Sequence, residues 1–199
     1  MYTLPETQAL PAALVGTESQ LLARHADLAA PAFVIPSTFE EAFYRHNNLP
    51  AQLAALFARI QPARIDEDAL EPLCGQARAL LLGAALLDDS VQTLYRALRN
   101  AGLDQGPLHL RRPGHAATQA ALARPPGTEV LHALKRLWAD DWSFGAVLAR
   151  LDDTGTVGLD ASPALVLRGP PGQADAALAL QLGCRAALRN AYGLTGLTA

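Results

Sequence analysis

The chain has 199 residues, half of them apolar, with 18% charged residues and a formal net charge of −3. That length suits one domain, at most with an appended helix, and that apolar content supports a sizeable core and excludes an intrinsically disordered chain. The acids concentrate in residues 1–90 and the second half is mildly basic, which suits an anionic ligand but is far from the basic stripe of a dedicated nucleic-acid binder.

Taken in order, the chain opens on a polar, proline-punctuated segment that ends at Ala12-Ala13-Leu14-Val15 and is broken by Gly16. Thr17 with Gln20 has the spacing of a capping box and predicts a helix with Leu21, Leu22 and Leu28 inward. Pro31-Ala-Phe-Val-Ile-Pro36 reads as a short edge strand, because its prolines cannot donate to a ladder. Ser37 with Glu40 repeats the capping-box spacing and starts a helix that ends at Asn47-Asn48. Pro50 suits the first turn of the next helix, where Leu53, Leu56, Phe57 and Ile60 recur at helical spacing. Asp66 then caps a longer helix carrying Leu70, Leu73, Ala77, Leu80 and Leu81, and Ser90 begins another.

Pro107 to His115, PLHLRRPGH, is an apolar-alternating run that delivers two arginines into a Pro-Gly turn. Residues 116–127 read as a loop with one helical turn. Thr128 starts a strong helix with Val130, Leu131, Leu134, Leu137 and Trp138 inward. After a break at Asp140–Ser143, a further helix runs to about Leu151, and 154–167 reads as a hairpin. Gly169-Pro-Pro-Gly172 separates this from an Ala/Leu-rich final helix over 173–191.

The order of these pieces resembles the N-terminal, ATP-grasp-type nucleotide-binding region of the phosphoenolpyruvate synthase and pyruvate phosphate dikinase family. The matching stretches are Val15-Gly16-Thr17-Glu18-Ser19-Gln20-Leu21-Leu22, Pro31–Pro36, Leu108–Gly114, Leu137–Trp142 and Ala164–Arg168, spanning residues 12–168. The resemblance implies a helix-rich α/β fold, a partial ATP-grasp-like domain with a small mixed sheet over 1–168. Residues 169–199 would be a Pro/Gly linker and a C-terminal helix packed on the same domain. It also implies that Arg111 stands where the family's arginine contacts nucleotide phosphate. The family's phosphate-binding lysine falls on Glu18, which replaces a cation with an anion, and its two serines fall on Arg112 and Pro113. The sequence ends ahead of the family's metal-binding carboxylates. Phosphoryl transfer needs metal and positioned cations, so the expectation is no catalysis by this chain alone.

The candidate anion-binding residues are Arg111, Arg112, His115 and Arg124, since guanidinium forks suit phosphate. The competing reading of Arg111 is an ion pair with an acid such as Asp140 or Asp141. No metal site is expected: His25, His46, His109, His115 and His132 show no ligand spacing, and neither do Cys74 and Cys184, which read as buried free thiols. No G-x-S-x-G elbow is present. The expected function is a catalytically inactive relative of a dikinase nucleotide-binding domain, acting as a binding or regulatory module. It would need no cofactor, with ATP as the alternative. The expected partner is another protein or a second copy of the chain. The alternatives are a nucleic-acid binder using the 111–124 arginines, or half of a split phosphotransferase completed by a partner chain. With no signal peptide and no run near the roughly 20 residues of a membrane span, the expected setting is the cytoplasm.

Overall fold

The structure, a computed structural model, describes residues 1–62 and 64–198. Its centre is a five-stranded sheet of β1 (Tyr2–Thr3), β2 (Ala32–Ile35), β3 (Gly106–Arg111), β4 (Thr118–Ala123) and β5 (Ala164–Arg168), in the order β1-β2-β5-β3-β4. Every neighbouring pair in it is antiparallel, so the expected mixed sheet is corrected to an antiparallel one. Side chains alternate across a strand, and β5 shows the consequence. Ala164 and Val166 enter one apolar core, Leu165 and Leu167 the other.

The larger core lies between the sheet and a layer of helices: α3 (Ser37–His46), α4 (Leu49–Leu56), α5 (Glu67–Gly83), α6 (Asp88–Asn100), α7 (Thr128–Asp140) and α8 (Phe144–Thr154). Phe43 meets Trp138 with ring centroids 4.7 Å apart, and Phe57 stacks on Trp142 at 5.8 Å. Both tryptophans are therefore core residues. The smaller core lies on the opposite face. It is covered by a 3-10 helix (Pro5–Ala9), α1 (Ala12–Val15), α2 (Thr17–Ala23) and a second, three-stranded sheet.

That second sheet replaces the helix expected over 173–191. β6 (Gln173–Ala174) leads into α9 (Ala176–Leu182), then β7 (Ala186–Asn190) and β8 (Gly193–Thr198) form an antiparallel hairpin. Gly183 ends α9 at φ +65°, the left-handed conformation that glycine adopts most cheaply. The Ala/Leu composition carried a helical propensity that tertiary pairing overrides.

Three other expectations are corrected. Residues 116–127 contain β4, paired with β3 along its whole length and held by Arg136 of α7, which donates to the Ala120 carbonyl at 3.1 Å. Alanine marks neither face of a strand, so Thr-Gln-Ala-Ala-Leu-Ala gave no alternation to read. The 154–167 hairpin is only β5, preceded by irregular chain. β2 is not an edge strand: Pro31 and Pro36 lie just outside its ladder, and β1 covers its far side.

Neither capping box forms. Gln20 donates to the Leu10 carbonyl at 2.6 Å, and the Ser37 hydroxyl donates to that of Ala13 at 3.0 Å. Asp66, by contrast, accepts from the Ala69 amide at 3.1 Å as expected. No single helix among the described residues is long and apolar enough to cross a membrane.

Candidate functional site

Arg111 is the last residue of β3 and Arg112 follows it directly, and the two side chains turn to opposite faces of the sheet. Each finds a carboxylate. Arg111 points into the smaller core and meets Glu18 of α2. Its Nη1 donates to Glu18 Oε2 at 2.6 Å and its Nη2 to Oε1 at 2.7 Å, with side chains only 4% and 7% exposed. Two main-chain amides complete the carboxylate's shell: Gly114 N–H donates to Oε2 at 2.6 Å and Leu197 N–H to Oε1 at 2.9 Å. Arg111 also donates to the Thr195 carbonyl at 2.6 Å. A bidentate fork plus two amides is a complete anion receptor. Here the anion is the protein's own.

The packing leaves no slack around this pair. A β-carbon at Gly196 would lie 2.9 Å from Glu18 Oε1 and 3.0 Å from Arg111 Nη2, so β8 passes close only because that residue is glycine. The Glu18 carboxylate thus ties α2, β3, the β3–β4 turn and β8 together.

Arg112 enters the helical side. It donates from Nη1 to Glu40 Oε2 and from Nη2 to Oε1, both at 2.7 Å, and from Nη2 to Asp141 Oδ2 at 2.5 Å. The Ser162 carbonyl also accepts from it, while the Ser162 amide donates to Glu40 at 2.9 Å. Burial works against the charge on Arg112, but the bonds and charges of Glu40 and Asp141 outweigh it and raise its pKa above the ordinary arginine value.

The other two candidates stand apart. His115 is exposed on the β3–β4 turn. Arg124 is exposed beyond the far end of β4, and six residues of strand place it about 20 Å away. The four residues are not brought together around one cavity. Arg111 pairs with Glu18 rather than with Asp140 or Asp141, whereas Asp141 does serve Arg112. His109, the neighbour on the Arg111 face, is buried with Nδ1 2.8 Å from the Gly169 carbonyl oxygen; burial lowers its pKa.

Neither Glu18 nor Glu40 is paired with these arginines in the sequence reading above. A signal was present. Glu18 lies between Val15 and Leu22 at helical spacing, and Glu40 lies beside Phe39 and Phe43, so both acids occupy inward faces. An acid on an apolar face is almost never buried unpaired, and the paired arginines were the available cations.

A cleft opens above the Arg112 cluster. Its floor is Glu40 and Tyr44, its walls Glu41, Arg45 and Asn48 on one side and Leu159–Ala161 on the other, enclosing about 500 Å³. A second hollow of about 280 Å³ adjoins it through Tyr44, Pro50 and Leu159 and is lined by Leu53, Ala54, Trp142 and Val157. Tyr44 accepts the Trp142 indole hydrogen at 2.7 Å. Burial, with the Glu40 charge, raises the tyrosine pKa, so it keeps its proton.

Among the described residues no group of three or more His, Cys, Asp or Glu could hold a metal ion. Cys74 is buried and Cys184 half-buried, both as free thiols, so the expected burial is corrected for Cys184. No family model matches the sequence, and no curated protein matches it.

Proposed function

We propose that this protein is a catalytically inactive relative of the dikinase-type nucleotide-binding domain and works as a binding or regulatory module. The observation that carries this reading is the Glu18 carboxylate seated in the Arg111 fork. In the resembling family both corresponding positions serve nucleotide phosphate. Here they neutralise each other. A phosphate could reach Arg111 only by expelling a carboxylate that has four donors, leaving Glu18 unpaired in a buried setting. Leaving one charge of such a buried pair without its partner costs about 3–5 kcal/mol.

The same pairing sets nucleic acid below a protein or small-molecule ligand. Two of the three arginines in the 111–124 segment are bound by Glu18 and Glu40, leaving Arg124 and His115 exposed at opposite ends of β4. Two unpaired cysteines suit a reducing compartment, and we infer the cytoplasm.

Isothermal titration calorimetry with magnesium-ATP, and separately with inorganic triphosphate, tests the proposal. No saturable heat is expected from either. A stoichiometric binding isotherm with ATP would overturn it.

A further inference from the structure

We propose that the hollow beside Trp142 binds small neutral molecules made of one apolar ring and a carbonyl group, whose oxygen accepts from Tyr44 and Arg150. The inference names a ligand class for the binding module proposed above and rests on that reading. The hollow encloses about 280 Å³, room for a single ring, and its walls include Pro50, Leu53, Ala54, Trp142 and Val157. Apolar walls of this kind hold the body of a ligand and leave its orientation to a few placed polar groups. Tyr44 is such a group, because it lines the hollow and also the larger cleft into which the hollow opens.

Two donors at this place have no acceptor among the described residues. The Tyr44 oxygen takes the Trp142 indole hydrogen at 2.7 Å, which leaves the phenol hydrogen itself to be given. Arg150 lies over the same indole, 5.1 Å from the ring centroid. Its Nη1 donates to the Asp141 carbonyl at 2.9 Å and its Nε to that of Val157 at 3.3 Å, while its Nη2 is buried without a partner. Trp142 and Val157, which hold this guanidinium, are both walls of the hollow. A buried donor left unpaired is costly, and an acceptor that reaches it recovers that cost. A carbonyl oxygen has two lone pairs, one for each of these donors. The charges decide against an ion. Glu40 and Asp141 share Arg112, and Arg150 adds a second guanidinium, so two carboxylates already face two cations. A ligand carboxylate would upset that balance and enter apolar walls with two donors for its four lone-pair sites. An ammonium ion would bring donors to donors.

The Trp142 indole N–H is a built-in reporter, because Trp142 lines the hollow and its N–H bonds to Tyr44. Acetophenone, benzoate and toluene share one ring and differ in the acceptor, and each is titrated into the full chain while that resonance is followed by NMR. Acetophenone is expected to shift it saturably and to bind about tenfold tighter than toluene, with benzoate giving no saturable shift. Tyr44→Phe keeps the ring and removes the donor, so acetophenone should fall to the level of toluene while toluene binding stays as it was, read by ring-proton saturation transfer. A merely structural loss would weaken both probes alike and would overturn the assignment of Tyr44. Ala54→Trp, at an exposed position on the wall, is a second variant that should weaken both probes by filling the hollow. Equal binding of benzoate, equal binding of toluene in the unaltered protein, or no saturable shift with any probe would each overturn the proposal. Those outcomes are distinct from failure of the parent reading, which is decided by ATP at the Arg111 side.

Discussion

Two consecutive arginines bear most of the electrostatic weight of this structure, and each is buried against a carboxylate from a different helix. Such pairs contribute less by existing than they cost when broken, because the surviving charge is left without water or partner. Glu18→Ala is therefore expected to lower stability by about 3–5 kcal/mol, with the loss largely recovered when Arg111 is also replaced by methionine. Urea denaturation of the two variants measures both effects; equal stability of the single and double variants would contradict the account. His109 adds a pH dependence of definite sign. Burial depresses its pKa in the folded chain below the ordinary 6.5, so the unfolded chain binds more protons as pH falls through that value. Stability should be fully present above about pH 6.5 and fall towards the folded pKa. Replacing His109 by glutamine should flatten that part of the profile of urea midpoint against pH.

Among the elements, caps and stops decide where helices end. Asp66 caps α5 through the Ala69 amide, and Asp66→Ala is expected to cost about 1 kcal/mol in urea denaturation. Gly183→Ala should cost a similar ~1 kcal/mol, since a β-carbon there meets nothing within 4 Å and only the left-handed backbone resists it. The helices of the larger core were legible in the sequence because leucine and aromatic residues recur at helical spacing over long stretches. β4 and the β7–β8 hairpin were not. Their alanines fit either face of a strand and favour helix by propensity, while the pairing that makes them strands comes from β3 and from each other. Gly183 and the Asn190–Gly193 turn were the signals that could have divided the final segment. At the site, PLHLRRPGH was legible as a strand feeding a turn. Its partners were not, because Glu18 and Glu40 lie 93 and 72 residues away and both sat in capping-box patterns that the structure does not form.

For the whole molecule, one sheet is shared by two cores. β5 sends Val166 into the helical core and Leu165 and Leu167 into the other, and Glu18 links the second sheet to β3. The two layers should unfold together. Tryptophan fluorescence reads the helical core through Trp138 and Trp142, and Cys184 thiol reactivity reads the smaller one. Their urea transitions are expected to coincide; exposure of Cys184 well before the fluorescence change would show that the second layer opens independently. The same linkage makes the Glu18 carboxylate a structural anion, held by the Arg111 fork and two main-chain amides. The most direct test is the response of the Gly114 and Leu197 amide resonances to magnesium-ATP, because both N–H groups donate to Glu18. No change is expected in the unaltered protein, although both signals should move in Glu18→Gln. Saturable ATP-dependent shifts at these two amides in the unaltered protein would contradict the account.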